Sequence, residues 1–184
     1  MFNSLMHINL PKFYHFIDNL NIKNIKKLDK NIALIYRNYE KKPRDDEIIK
    51  FKNYCKKNNK KFLIGNYSDL VKKHDLDGFY IPAFNNKIYL NLNNKSDLII
   101  VGSAHNLKEI RSKEKQGVQL IFLSPLFKKK NSNRPLGLYR YNILSKLSKI
   151  PTIGLGGITK KNLKNLKLLK TDGFASIDFF RKEK

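Results

Sequence analysis

The most informative segment of this 184-residue chain is Ile150-Pro151-Thr152-Ile153-Gly154-Leu155-Gly156-Gly157-Ile158. Its apolar, β-branched first half predicts a short buried strand, and the two adjacent glycines predict a turn whose backbone can pass close to a bulky anion. Leucines at a spacing of three follow at Leu163, Leu166 and Leu169 and predict a helix. Free N–H groups at the start of that helix would face the anion. The segment therefore predicts a phosphate-binding turn, and the alternative is a tight strand-to-helix turn without a ligand.

The length and composition indicate a single domain over residues 1–184. No run of about 20 apolar residues predicts a membrane span, and the N-terminus lacks the basic segment and apolar core of a secretory signal. The single cysteine, Cys55, excludes an internal disulfide and favours a reducing, cytoplasmic location. Cys55 lies on the apolar face of a predicted helix, where packing is a more common role than catalysis.

The strongest compositional signal is a formal net charge of +23. Such a charge favours any anionic ligand and is also found in proteins that bind nucleic acid. The lysines, however, are spread over nearly every predicted helix instead of forming one stripe, and no nucleic-acid-binding motif accompanies them. We therefore expect a small anionic ligand, with nucleic-acid binding as a less favoured alternative.

Eight apolar segments alternate with helical patterns along the chain, which predicts a (β/α)8 TIM barrel instead of an open doubly wound sheet. The predicted strands are Phe13–Ile17, Ile32–Tyr36, Phe62–Ile64, Phe79–Ile81, Leu98–Val101, Gln119–Leu123, the segment quoted above and Phe174–Ile177. Only seven residues follow Ile177, so the last helix is expected to be stunted or missing. That would leave Phe179 and Phe180 uncovered, and a second subunit of a homo-oligomer could cover them.

The carboxyl-terminal ends of the strands form the rim that carries chemistry in such a barrel. The residues predicted there are Asp18, Arg37, Asn66, Asn85, Ser103, His105, Ser124, Lys128–Lys130, Gly156, Gly157 and Asp178. An arginine, several lysines and a glycine turn on one rim predict a phosphorylated or pyrophosphorylated ligand. Each feature has a structural alternative. The lysine run could be a solvated loop, His105 could only hydrogen-bond its turn, and Asp18 could only cap the next segment.

Four motifs together resemble the thiamine-phosphate synthase and TenI family. They are Gly102-Ser103-Ala104-His105-Asn106-Leu107-Lys108-Glu109, Ser124-Pro125-Leu126-Phe127, Pro135-Leu136-Gly137-Leu138 and Ile150 to Thr159. Their order and spacing match over about Leu98 to Ile177, and the N-terminal half matches more loosely. The resemblance implies a barrel that couples a pyrimidine methyl pyrophosphate to a thiazole phosphate. In that reaction the pyrophosphate leaves first, and the thiazole nitrogen traps the resulting carbocation.

The resemblance also assigns roles to individual residues. Arg37 and Ser103 match residues that contact the pyrophosphate, and His105 keeps the family's helix entry. The turn at Gly156 and Gly157 would bind the thiazole phosphate through its N–H groups. The end of the eighth strand, Ile177 and Asp178, would complete that phosphate site. Lys129 and Lys130 stand in the loop after the sixth strand and are candidate catalytic residues.

Several positions depart from the family pattern. Ile35 and Tyr39 replace a glutamine and a lysine around Arg37, and Asp178 replaces a serine. Asn66 and Asn85 stand where the family has magnesium-binding carboxylates. A neutral amide lacks the charge that holds Mg²⁺ beside a polyphosphate, so we expect Mg²⁺ only together with a pyrophosphate ligand. Pro125 stands where TenI-type tautomerases have a histidine, which argues against that activity.

Two readings follow. In the first, the chain is a divergent synthase in which lysines of the loop after the sixth strand and Mg²⁺ brought by the substrate replace the lost ligands. In the second, it is a catalytically degenerate barrel that binds a phosphorylated ligand or a protein partner. The sequence narrowly favours the first.

Overall fold

Eight parallel strands close into a barrel in the order of the chain, each paired with the next and the last with the first. The computed structural model describes residues 9–92, 97–128, 134–169, 171 and 173–180. The strands are β1 Phe13–Ile17, β2 Ile32–Tyr36, β3 Phe62–Gly65, β4 Gly78–Ile81, β5 Ile99–Ala104, β6 Leu120–Leu123, β7 Thr152–Leu155 and β8 Phe174–Ser176. The predicted (β/α)8 fold is confirmed, with every predicted strand in place.

The α-helices lie outside the barrel between successive strands. They are α1 Ile22–Ile25, α2 Asp45–Lys57, α3 Ser68–Lys73, α4 Leu107–Lys115 and α5 Gly137–Leu147. The predicted apolar face of α2 is buried, including Cys55, whose thiol has its pKa raised to about 12, chiefly by burial. Cys55 is therefore a packing residue, as expected. No described helix is long and apolar enough to cross a membrane.

The period-two alternation of the strands separates an interior core from an exterior one. The interior contains Tyr14, Phe16, Ala33, Ile35, Leu63, Tyr80, Ile99, Val101, Leu120, Phe122, Ile153, Leu155 and Ala175. Several predicted site residues each lie two positions beyond one of these interior side chains, among them Arg37, Ser103, Gly157 and Ile177. The same alternation that builds the core thus directs these positions toward the mouth of the barrel.

The segment after β7 differs from the prediction. Its leucines lie in a 3₁₀-helix, Leu163–Leu168, and not in an α-helix. A 3₁₀-helix has three residues per turn, so a strict spacing of three places Leu163 and Leu166 on one face. The predicted helix is therefore present as the tighter 3₁₀ type. It begins at Leu163, so the prediction of a helix N-terminus directly behind the glycine turn is wrong.

The described residues after β8 agree with the expected stunted or missing last helix, since residues 177–180 contain bends and turns and no helix. Phe179 and Phe180 fold back onto Phe174, with the Phe180 ring stacked at 5.4 Å between centroids. These rings line a mostly apolar groove of about 270 Å³ together with Phe13, Asp29, Asn31, Ile32 and Leu163. The two phenylalanines are half-buried by the chain itself, which leaves less apolar surface than the sequence suggested.

Candidate active site

The mouth of the barrel contains a pair of buried hydroxyl groups. The Tyr80 and Ser103 hydroxyls lie 2.8 Å apart, and either can be the donor. Tyr80 comes from the interior face of β4 and Ser103 from that of β5, which runs longer than predicted and contains this serine. Burial raises the pKa of the Tyr80 hydroxyl, and the hydrogen bond with Ser103 and the charge of Arg37 oppose the rise. Tyr80 therefore stays neutral and can donate a hydrogen bond.

Arg37 follows β2 and is held by a 2.8 Å hydrogen bond from its backbone N–H to the carbonyl of Ile17. Its guanidinium carbon lies 4.8 Å from the centroid of the Phe16 ring and 5.9 Å from that of Tyr39. Within the described part of the chain, no carboxylate forms an ion pair with Arg37. Its charge is thus held in place by ring faces and remains available to an anion.

A cavity of about 530 Å³ opens beside Arg37. It is lined by Asp18, Asn19, Arg37, Asn38, Tyr39 and Glu40. Cavities of this size are typical of small-molecule sites.

His105 is held at the rim by Glu109. The Glu109 carboxylate accepts the His105 backbone N–H at 2.8 Å and lies 2.8 Å from the His105 Nδ1. An N-terminal cap of α4 is also present, since the Asn106 side chain accepts the Glu109 N–H at 3.0 Å. Burial raises the pKa of Glu109, but the hydrogen bonds from His105 and Asn106 outweigh that effect and lower the pKa overall. This arrangement leaves the Nε2 of the half-exposed His105 for a ligand.

The glycine turn after β7 is present, with φ values of 94° at Gly156 and 71° at Gly157. The loop after β6 runs alongside it, since the Phe127 N–H donates to the Gly156 carbonyl at 3.0 Å. Asn162 closes the other side by donating its side-chain amide to the Gly157 carbonyl at 2.8 Å. Because no α-helix begins here, a phosphate would be bound by the backbone of the turn without help from an α-helix dipole.

The two asparagines at the expected metal positions differ in environment. The Oδ1 of Asn66 is buried without a hydrogen-bond partner, in a residue with a left-handed φ of 65°. The Oδ1 of Asn85 accepts the Lys87 N–H at 2.9 Å, and the Asn85 carbonyl accepts a hydrogen bond from the Lys113 ammonium at 2.7 Å. Among the described residues, no three His, Cys, Asp or Glu side chains cluster as metal ligands. The buried oxygen of Asn66 is neutral and the Oδ1 of Asn85 already accepts a hydrogen bond, so these two residues do not supply the charge that holds a resident Mg²⁺ ion.

The remaining predicted residues are less closely connected to the mouth. Ile177 packs against the interior core, and Asp178 is exposed. Lys129 and Lys130 lie outside the described residues, and Lys128 just before them is exposed. Tyr80 and Glu109 belong to the site although no motif identifies them as site residues. The sequence contains a clue to each residue. Tyr80 occupies an interior position of a strand, and Glu109 stands four residues after His105.

These features define the class as a (β/α)8 barrel with a cationic, hydroxyl-lined site at the carboxyl-terminal ends of its strands. Residues 26–179 match the family described as thiamine monophosphate synthase. The chain therefore belongs to that family, which confirms the resemblance drawn from the motifs.

Individual relatives agree with this assignment. A protein of Aquifex aeolicus, provisionally named thiamine-phosphate synthase 2, is 27% identical over 186 residues, which span 94% of this chain and 99% of that protein. The thiamine-phosphate synthase of Clostridium novyi is 30% identical over 125 residues, or 66% of this chain and 61% of the relative. Among solved structures, a thiamine phosphate pyrophosphorylase from Pyrococcus furiosus superposes with a TM-score of 0.70 at 22% identity, covering 91% of this chain and 85% of that one. At that identity the structural likeness shows the shared fold.

Proposed function

We propose that this protein is a divergent thiamine-phosphate synthase that joins a pyrimidine methyl pyrophosphate to a thiazole phosphate and releases pyrophosphate. The observation that carries the proposal is Arg37, whose guanidinium has no carboxylate partner among the described residues and lies at the barrel mouth beside the Tyr80–Ser103 hydroxyl pair. Family membership supplies the reaction class, and this cluster supplies the groups that the reaction needs.

In the proposed reaction the bond between the pyrimidine methylene carbon and the pyrophosphate oxygen breaks, and its electron pair leaves on the pyrophosphate. The lone pair of the thiazole nitrogen then forms the new C–N bond. Negative charge grows on the departing oxygen, so a fixed guanidinium and fixed O–H donors stabilise the transition state more than the ground state. Arg37 would bind the pyrophosphate, with Ser103 donating a hydrogen bond to it and Tyr80 orienting Ser103.

His105 and the glycine turn have supporting roles in the proposal. His105, oriented by Glu109, would hydrogen-bond the pyrophosphate through Nε2. The backbone of Gly156 and Gly157, with Ile177 and Asp178 at the end of β8, would bind the thiazole phosphate. Lys129 and Lys130 are retained as candidates from the sequence. Mg²⁺, where it takes part, would come bound to the pyrophosphate, because the protein offers no carboxylate at Asn66 or Asn85.

The test is to incubate the purified protein with both substrates and measure the thiamine phosphate formed. We expect turnover in the wild type and a loss of at least a hundredfold in kcat/KM in Arg37→Gln. Removing a single preorganised donor in an active site costs on this order. Arg140→Gln is the matched control, because Arg140 is an exposed arginine on α5. An Arg37→Gln variant as active as the control would remove Arg37 from the mechanism.

The second candidate function is a catalytically degenerate barrel that binds a phosphorylated ligand or a protein partner. It is favoured by the neutral Asn66 and Asn85 and by the Lys113 ammonium beside Asn85. The turnover assay, combined with calorimetry, separates the two functions. A degenerate barrel would bind pyrophosphate in the calorimeter and would form no thiamine phosphate in the assay. A cytoplasmic location and a homo-oligomeric state remain predictions from the sequence.

A further inference from the structure

Two large aromatic side chains stand exposed and in contact at the mouth of the barrel. Tyr39, in the loop after β2, is 49% exposed, and Phe84, in the loop after β4, is 69% exposed. Their ring centroids are 5.5 Å apart with the planes at 71°, an edge-to-face contact. We call this pair the aromatic lip. Single exposed apolar residues are common on protein surfaces, but two rings from separate loops in contact beside a cationic site call for an explanation.

The lip adjoins the Arg37 guanidinium, which lies 5.9 Å from the centroid of the Tyr39 ring. The Tyr39 hydroxyl lies close enough to Arg37 and to Tyr80 for both residues to influence its pKa. Burial raises the pKa of Tyr39 to about 12, with the nearby Tyr80 adding to the rise and Arg37 opposing it. The hydroxyl is therefore neutral, and about half of the Tyr39 residue is exposed at the mouth.

The geometry points to a ligand that combines a flat ring with an anionic group. We propose that the aromatic lip binds the heteroaromatic ring of a pyrophosphate substrate by stacking, while Arg37 binds its pyrophosphate. The adjoining cavity of about 530 Å³, which Arg37 and Tyr39 both line, has room for such a molecule. Asp18 and Glu40, which also line it, can accept hydrogen bonds from amino groups on the ring. The lip would thus select aromatic over aliphatic pyrophosphates.

This inference rests on the proposed function for the identity of the ring, and it adds the residues that recognise it. The test compares three probes by calorimetry: the pyrimidine methyl pyrophosphate, isopentenyl pyrophosphate as an aliphatic analogue, and inorganic pyrophosphate. In the wild type we expect the pyrimidine compound to bind at least tenfold more tightly than the aliphatic one, since stacking of a base on an aromatic side chain is typically worth about that much.

The variant Phe84→Leu should remove most of that preference while binding inorganic pyrophosphate as the wild type does. Tyr39→Leu should remove the preference too and also weaken the binding of inorganic pyrophosphate, because the Tyr39 ring lies beside the Arg37 guanidinium. Tyr39→Phe, which keeps the ring, should retain the preference. Tyr139→Leu is the matched control, because Tyr139 is an exposed tyrosine on α5 that is 82% accessible. Circular dichroism would verify that each variant folds.

Equal affinities of the wild type for the pyrimidine and aliphatic compounds would overturn the proposal that the aromatic lip binds the ring. A preference that survives in both Tyr39→Leu and Phe84→Leu would also overturn it. Failure of the proposed function gives a different result, namely absent turnover with the ring preference intact. Turnover without a ring preference would refute the proposed role of the aromatic lip and would still support the synthase activity.

Discussion

Gly157 is a glycine for two physical reasons that act together. Its φ of 71° is left-handed, and a Cβ atom would overlap the carbonyl oxygen of Phe127 in the neighbouring loop. Gly117 has the same φ of 71° but nothing within 4 Å of the position where a Cβ would stand. Comparing Gly117 with Gly157 therefore separates the cost of a left-handed backbone from the cost of the close approach at the glycine turn.

We expect Gly117→Ala to lower the free energy of unfolding by about 1 kcal/mol, the usual cost of a left-handed alanine. Gly157→Ala should cost about 1–3 kcal/mol more, because the loop after β6 must also move. Urea denaturation of both variants measures the difference. Equal losses would mean that the Phe127 loop yields freely and does not constrain the turn.

Asn66 and Asn85 set the expectation for metal binding. We expect no calorimetric Mg²⁺ binding to the free protein at millimolar concentration, because the neutral Asn66 and Asn85 side chains lack the charge that holds this ion. Binding should appear once pyrophosphate is present. A millimolar or tighter site in the unliganded protein would show that other residues bind the metal.

At the scale of elements, helix α4 holds the loop after β4 in place. The side chain of Lys113 is 0% exposed, and its ammonium donates to the Asn85 carbonyl at 2.7 Å and to the Gln116 Oε1 at 2.8 Å. Gln116 in turn donates to the carbonyls of Asn85 and Lys87, each at 2.9 Å. The loop that carries Phe84 is therefore tied to a buried charge, which links this helix to the aromatic lip.

Burial lowers the pKa of Lys113 to about 8 from its model-compound value of 10.5, although Glu109 opposes the shift. Between these two pH values the unfolded chain binds more protons at this site than the folded one, so the contribution of Lys113 to stability rises with pH. Relative to Lys113→Met, the wild type should gain about 1–3 kcal/mol in free energy of unfolding from pH 7.5 to 10.

Urea denaturation of both proteins across this pH range measures that gain. Lys115→Met, a change at an exposed lysine of the same helix, is the control and should show no comparable change. A constant difference between wild type and Lys113→Met over the whole range would mean that the buried amine keeps its proton.

At the scale of the whole molecule, the +23 charge is distributed and partly paired. Lys42 bonds Asp69 at 2.7 Å and Lys61 bonds Asp77 at 2.9 Å, both on the outside of the barrel. Surface pairs of this kind contribute little to stability, but they lessen the net field on any one face. The organised cationic feature in the described mouth is Arg37, which suits a small anion better than a polymer.

We therefore expect weak binding to random duplex DNA, lost at about 200 mM salt as counterion release predicts. Fluorescence anisotropy with a labelled duplex, titrated at several salt concentrations, measures this. Sub-micromolar affinity that persists at that salt concentration would favour a nucleic-acid-binding function.

The barrel was predictable because its determinants are local. Eight apolar segments, each followed by a turn and a helical or polar stretch, specify parallel strands covered by helices, and the motifs around Ser103 and Gly157 specify the family. Features that depend on contacts between residues distant in the chain are harder to predict from the sequence. The leucine spacing after β7 is compatible with either helix type, and the folded chain has a 3₁₀-helix there.

The composition of the mouth was decided by the tertiary structure. Tyr39 and Phe84 lie far apart in the chain, and barrel closure brings the loops after β2 and β4 together at one rim. Lys113 reads as one of many lysines in the sequence, yet it is fully buried because it reaches the Asn85 carbonyl across the helix–loop contact. The sequence by itself determined the strands, the family and the position of Arg37. Only folding decided which rings, hydroxyls and buried charges surround that arginine, because those contacts join residues from different strands.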